Sequence, residues 1–206
     1  GDRATDLVLT RFTSARAAGG ERAGAGQGAR DAVVVLWGRE AGTGVPLFSR
    51  KRQLRIPAQA AVASAIGDLD GDGLTDLAVA IHQAEGTFNG TSRAWLGDGR
   101  RGFKEISGGF ATSGTTDVAI APASQSGGPG RVILCNSIGG RYDEAVPVHV
   151  YWGAQDGFDP RRVWKVPFQS GYESSAADLN ADGFVDLVLL NSGHAHTDGP
   201  GEAELG

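Results

Sequence analysis

The 206-residue chain carries a net charge of -5 and 40% hydrophobic residues, with 33 Gly, no Met and one Cys. The acidic balance, without a basic stripe and interleaved aromatics, excludes a nucleic-acid surface. No run of about 20 apolar residues offers a membrane span, one Cys excludes an internal disulfide framework, and the absence of Met and of an opening signal peptide is expected of a processed or trimmed segment.

In chain order, Asp6-Leu7-Val8-Leu9-Thr10 reads as a short strand, followed by a Gly/Ala/Arg-rich stretch over residues 14–30 without periodicity, expected as a flexible surface insert. Apolar β-type runs follow at Ala32–Trp37, 61–67, 76–81, 92–96, 103–106, Val132–Ser137, Val148–Trp152 and Leu187–Ser192, separated by Gly- and Asp-rich turns. Between 61–67 and 76–81 lies Asp68-Leu69-Asp70-Gly71-Asp72-Gly73-Leu74-Thr75-Asp76. Its pattern recurs as Asp178-Leu179-Asn180-Ala181-Asp182-Gly183-Phe184-Val185-Asp186. Oxygen-bearing side chains at loop positions 1, 3, 5 and 9, with Gly at position 6, describe a cage for a hard cation. Ca2+ fits best, because it accepts 6–8 oxygens at about 2.3–2.6 Å in loose geometry.

The two loops define a period. Asp76 and Asp186 lie 110 residues apart, and half of that, 55, separates Phe48, Phe103 and Phe158. Each Phe precedes a loop start by 20 residues, at Asp68, Ala123 and Asp178. Periods of this size mark solenoids or propellers. Four short antiparallel strands per unit predict an all-β chain of β-propeller blades, a partial propeller of three to four blades. The expected division is one segment, 1–206, with repeats at about 1–60 (insert 14–30), 61–115, 116–170 and a truncated 171–206. Strand counting gives three, four, four and two strands, so further blades from the same or another chain would be needed to close a ring.

Two of the four loops are incomplete. The middle one, Ala123–Arg131, keeps Gly at position 6 but lacks the ligands at 1, 5 and 9, where Arg131 would repel a cation. In the first, Asp2 and Asp6 fall at positions 5 and 9, and Arg3 takes the position that favours Gly. An EF-hand needs a bidentate Glu at position 12 and flanking helices; Val79 and Leu189 stand there inside apolar runs, which excludes it. An acidic turn that binds nothing is the plainer alternative, but the same four ligand positions filled twice argue against it.

Residues 61–80 and 172–190, with Tyr151-Trp152-Gly153 and Asp156-Gly157-Phe158, resemble the FG-GAP/VCBS repeats of integrin α-subunit propellers, in their bacterial form. The resemblance implies that each loop joins the first and second strands of a blade and that Ca2+ stiffens the blade without catalysis. It carries over as ligands Asp68, Asp70, Asp72, the Leu74 carbonyl and Asp76, and then Asp178, Asn180, Asp182, the Phe184 carbonyl and Asp186. Asp2 and Asp6 form a weaker third set.

The expected function is therefore a non-enzymatic, calcium-binding extracellular or cell-surface module for adhesion or ligand recognition. A protein or carbohydrate partner would sit on the rim opposite the calcium loops, where His82, Arg141–Glu144, His194 and His196 fall, and a signal peptide would lie upstream. The competing readings are a polysaccharide lyase-like enzyme built on a propeller and an architectural subunit of a surface assembly. No Gly-x-Ser-x-Gly elbow supports a nucleophile, Cys135 falls on a blade strand, and Trp37, Trp95 and Trp152 read as blade packing at repeated places.

Overall fold

The computed structural model describes residues 4–11, 32–40, 45, 47–83, 87–122, 128–138, 146–154, 157–168 and 170–191. Among these the chain is all-β. The first sheet holds β1 (Leu7–Leu9), β2 (Ala32–Leu36) and β3 (Gln53–Pro57). The second holds β4 (Ala61–Gly67), β5 (Asp76–Ile81), β6 (Asn89–Gly97) and β7 (Phe103–Glu105), with β8 (Phe110–Ser113) pairing the far part of β6. The third runs through β9 (Thr115–Ala121), β10 (Arg131–Asn136), β11 (Val148–Ala154) and β12 (Gly157–Val166), and the fourth pairs β13 (Gly171–Ala177) with β14 (Asp186–Asn191). Every pairing is antiparallel, as propeller blades require.

The sheets stack because side chains of a strand alternate between its two faces. In β5, Leu77, Val79 and Ile81 join a core with Val33, Val35 and Ile56 of the first sheet. Ala78 and Ala80 face the other way, into a core with Val132, Leu134 and Tyr151 of the third. In β10 the same alternation sends Ile133 and Cys135 towards Leu187 and Leu189 of the fourth sheet. A strand covered on both sides reads as a continuous apolar run, which is why Asp76–Ile81 is buried at all six positions. Each fully buried Leu or Val on these strands stabilises by about 1.5–3 kcal/mol relative to exposure.

The inner strands β4, β9 and β13 are rich in Ala, Ser and Thr because they converge. A Cβ on Gly67 would lie 2.6 Å from the Ile120 side chain of the next blade. Buried polar groups close the blade joints: Asn136 Oδ1 accepts from the Ser113 N–H (2.9 Å) and the Thr115 hydroxyl (3.0 Å), and its Nδ2 donates to the Pro147 carbonyl (3.0 Å).

Two details depart from the sequence reading. Strand β8 was not expected, since no strand was read at 110–113; Phe110 anchors it against Tyr151 and Phe158 (centroids 4.8 and 5.5 Å). Trp95 is not equivalent to Trp37 and Trp152. It pairs with Leu77, as Leu36 pairs with Leu7 and Tyr151 with Val132, so it points into the core with the preceding blade. Trp37 instead stacks on Phe103 at 6.4 Å and Trp152 leans on Trp164 at 6.4 Å.

Candidate metal centre

The first acidic loop connects the end of β4 to the start of β5, and its side chains fold it from within. Asp68 accepts from the N–H groups of Gly71 (2.7 Å) and Gly73 (2.9 Å). Asp70 accepts from the Asp72 N–H (3.1 Å) and Asp72 from the Leu74 N–H (2.7 Å), two successive Asx turns. Gly73 has a φ of 82°, the left-handed conformation that explains glycine at position 6, and Gly71 has the same need at 84°.

Asp76 closes the loop. It is fully buried and both of its oxygens are engaged: Oδ2 accepts from the Leu69 N–H (2.6 Å) and Oδ1 from the Gly97 N–H at the end of the third strand (2.8 Å). One carboxylate thus ties loop position 2, the second strand and the third strand together. Asp6 accepts from the Gly38 N–H (2.8 Å) in the first blade, and Asp186 from the Leu179 N–H (2.8 Å) in the fourth. In the third blade Arg131 stands at this position. There the Gly153 N–H reaches the Gly130 carbonyl instead (3.1 Å).

Carboxylate oxygens of Asp68, Asp70 and Asp76 lie within 4.8 Å of one another. The carboxyl groups of Asp70 and Asp76 are both pushed above the ordinary value, first by burial and then by neighbouring negative charge: Asp72 and Asp68 for Asp70, Asp70 and Asp72 for Asp76. Crowded carboxylates of this kind favour a bound cation or a proton. Asp72 lies outside the triad. Carboxylate oxygens are hard donors, of the kind that hold a hard divalent cation.

The second loop keeps most of the hydrogen-bond pattern, with the position-5 N–H taking the place of the position-4 one on its first Asp. Asp178 accepts from the Asp182 (3.1 Å) and Gly183 (2.8 Å) N–H groups, Asn180 from Asp182 (3.0 Å) and Asp182 from Phe184 (2.8 Å). Ala181 adopts a φ of 60° where Gly71 stands in the first loop. Asn180 Nδ2 donates to Asp182 Oδ2 at 3.0 Å, which occupies that carboxylate. Asp2 lies outside the described residues, as do Arg141–Glu144, His194 and His196.

The two loops differ in what covers them. Leu69 is 0% exposed, whereas its equivalent Leu179 is 66% exposed. Residues 128–130 of the third blade lie against the first loop: the Gly130 N–H donates to the Leu69 carbonyl (2.9 Å). A Cβ on Gly130 would lie 2.7 Å from the Asp68 carbonyl, and one on Gly71 would lie 2.8 Å from that of Gly128. The glycines of residues 128–130 therefore buttress the neighbouring site, a role that the missing ligands concealed. Gly130→Ala is expected to cost about 2 kcal/mol in urea unfolding, because both carbonyls it would strike, Asp68 and Ala121, are backbone and have no rotamer to escape into.

Residues 60–96, from the start of β4 through the acidic loop to the end of β6, match the family model of the FG-GAP repeat. The chain carries an FG-GAP repeat. No curated protein matches the chain closely enough to count as a relative. Within this FG-GAP repeat the acidic loop, the buried β5 and the Asp76–Gly97 clamp all fall inside the matched span. No helix among the described residues is long and apolar enough to cross a membrane. The Cys135 thiol is buried, and burial pushes its pKa up to about 11, so it stays protonated.

Proposed function

We propose that this chain is an extracellular, non-catalytic propeller module, stiffened by Ca2+ at Asp68–Asp76 and serving adhesion or ligand recognition on its opposite rim. The observation that carries this reading is the convergence of the Asp68, Asp70 and Asp76 oxygens within 4.8 Å, in a loop pre-folded by its own Asx turns. Asp178, Asn180, Asp182 and Asp186 offer a second, more exposed site of the same type. Carbonyls of Leu74 and Phe184 would complete the two shells. A site with three or four carboxylates suits extracellular calcium levels. FG-GAP repeats are typical of extracellular proteins, which agrees with that setting.

The recognition surface lies where the inner strands begin, at the end of the blades opposite the acidic loops. Val62, His82, Thr116, Asp117, Tyr172 and Glu173 line a cavity of about 450 Å³ there. His82 Nδ1 contacts the Thr115 carbonyl (2.9 Å), which requires that nitrogen to carry the proton. Asp117 is held by the Ser174 N–H and hydroxyl (2.8 and 2.9 Å). An aromatic ring with fixed acceptors beside it suits a hydrogen-bonding ligand, a carbohydrate or a polar protein loop.

The test is thermal unfolding with chelator and with calcium. At a hundredfold excess over Kd, calcium should add about 2.7 kcal/mol, raising the midpoint by roughly 5–10 °C for a chain of this size. Asp68→Asn with Asp70→Asn should remove most of that increment. An unchanged midpoint on chelation would sink the calcium reading.

A further inference from the structure

Two turns of neighbouring blades bring a set of basic side chains to one rim. The first, 49–52, leads into β3: the Arg52 N–H donates to the Ser49 carbonyl (2.9 Å) and the Lys51 N–H to the Ser49 hydroxyl (3.3 Å). The Arg52 carbonyl accepts from the Trp37 N–H (2.9 Å) and its Nη2 donates to the Gly38 carbonyl (2.6 Å), which fixes the side chain beside Trp37. The second turn, 98–102, joins β6 to β7. Asp98 Oδ1 accepts from the N–H groups of Arg100 (2.7 Å) and Gly102 (2.8 Å), so this carboxylate is engaged by its own turn.

Trp37 joins the two turns. Its ring stacks on Phe103 of the second blade at 6.4 Å, and the Arg101 guanidinium lies 5.8 Å from its centroid. A cation held over an indole face is oriented before any ligand arrives. Arg101 also holds a φ of 83°, a conformation that a residue with a side chain adopts at a cost. Glycine would relieve that strain, yet an exposed arginine stands there, beside exposed Arg100 and across from exposed Arg50 and Lys51. Both turns belong to complete hairpins, β2–β3 and β6–β7, so the arrangement does not depend on a further blade.

We propose that this rim binds an acidic polysaccharide, with Arg52, Arg100 and Arg101 at its centre and Arg50 and Lys51 beside them. A guanidinium presents a planar fork that pairs with a carboxylate or sulfate through two hydrogen bonds. Groups already held in place lose less freedom when the ligand binds. Nucleic acid fits this rim less well. Trp37 is engaged by Phe103 and Arg101, which leaves little of it for a stacked base. The turn also adjoins the acidic loop, since a Cβ on Gly99 would lie 3.1 Å from the Leu74 side chain. The dense phosphates of a duplex would therefore meet carboxylates as well as arginines, whereas a narrow uronate or sulfated chain can follow the arginines alone. This surface is separate from the cavity at His82 and stands whether or not the loops hold calcium.

The test measures binding of the 206-residue chain to hyaluronate (carboxylate) and heparin (sulfate), with dextran as the neutral polymer and single-stranded and duplex DNA as competing polyanions. At least one of the two acidic polysaccharides should bind about tenfold or more tighter than dextran and DNA, and more weakly as salt rises. Arg100→Ser with Arg101→Gly should weaken that binding by about tenfold or more, the loss expected of charged hydrogen bonds. The glycine also removes the positive-φ strain, so the fold should be kept. Arg162→Gln with Lys165→Gln removes the same charge from exposed positions of β12 and should change binding by less than about twofold. A wild type that binds neither acidic polysaccharide overturns the proposal. So does DNA binding as tightly as the polysaccharide, or an equal loss in the two double variants, which would mean net charge alone. Should the Arg100/Arg101 variant fail to fold, hydrogen exchange of the wild type decides. The amides of 49–52 and 98–102 must gain protection with the polymer bound, and unchanged protection there overturns the inference.

Discussion

Asp76→Ala is expected to destabilise the chain by about 2–3 kcal/mol in chelator and by roughly 5 kcal/mol in saturating calcium. The metal-free figure balances two effects. Removing the carboxylate orphans the Leu69 and Gly97 N–H groups, which lie 2.6 and 2.8 Å from it, and each hydrogen bond to a charged acceptor contributes about 1.5–3 kcal/mol. Against that, burial and the charges of Asp70 and Asp72 already raise the Asp76 pKa, so deletion also removes a strained charge. Bound calcium would neutralise the repulsion, and the full cost would then show together with the lost binding. Asp76→Asn keeps a single oxygen and leaves one of the two N–H groups without an acceptor, so it should cost about 1–3 kcal/mol even in chelator. The sign with pH follows from the same residue. A folded-state pKa above the ordinary 3.8 means that the folded chain binds the proton more tightly. Through this group the metal-free protein gains stability as pH falls from neutral towards the carboxylate range. Denaturant titrations of wild type and Asp76→Ala, with and without calcium, separate the terms. A loss seen only with calcium would mean that Asp76 is a ligand and not also a clamp.

How far these features could be read from the sequence depends on whether they are local. The all-β fold was legible because each buried strand carries apolar residues on both faces between Gly- and Asp-rich turns, as Asp76–Ile81 does. The loop fold was legible because Asp and Gly at fixed offsets make Asx turns and positive-φ corners without outside help. Features that depend on neighbouring blades were not. Leu69 and Leu179 hold the same place in the same motif, yet among the described residues the first is buried against the next blade, with residues 128–130 beside it, and the second is exposed. Trp95 was grouped with Trp37 and Trp152 as packing at repeated places, but its pairing with Leu77 sets it one residue earlier in its strand and so on the other face of the sheet. Position 9 was read as a metal ligand in each complete loop. The Asp76 hydrogen bond to Gly97 of the third strand reveals a structural duty at this position, which Asp6 also performs in a blade whose own loop is incomplete.

Leu69→Ala is the companion experiment, because Leu69 joins the loop to the rest of the molecule. Its side chain is fully buried in the core shared by the second and third blades, with Val132, Leu134 and Tyr151. Its N–H is held by Asp76 and its carbonyl by Gly130. Truncation leaves a cavity walled by β-sheet on both sides, which has little room to collapse, so a loss of about 3–4 kcal/mol is expected within the usual range for Leu→Ala. Leu179→Ala makes the same chemical change at the equivalent position of an uncovered loop and should cost less than about 0.5 kcal/mol. The difference between the two variants measures how much of the first loop's order comes from the third blade rather than from its own turns. If Leu69→Ala lowers stability in chelator but leaves the calcium increment unchanged, the loop is pre-folded by its own Asx turns and the neighbouring blade supplies stability alone. If the increment falls as well, residues 128–130 and the Leu69 anchor hold Asp68 in place, and calcium affinity in the second blade is set by the blade that has lost its own ligands.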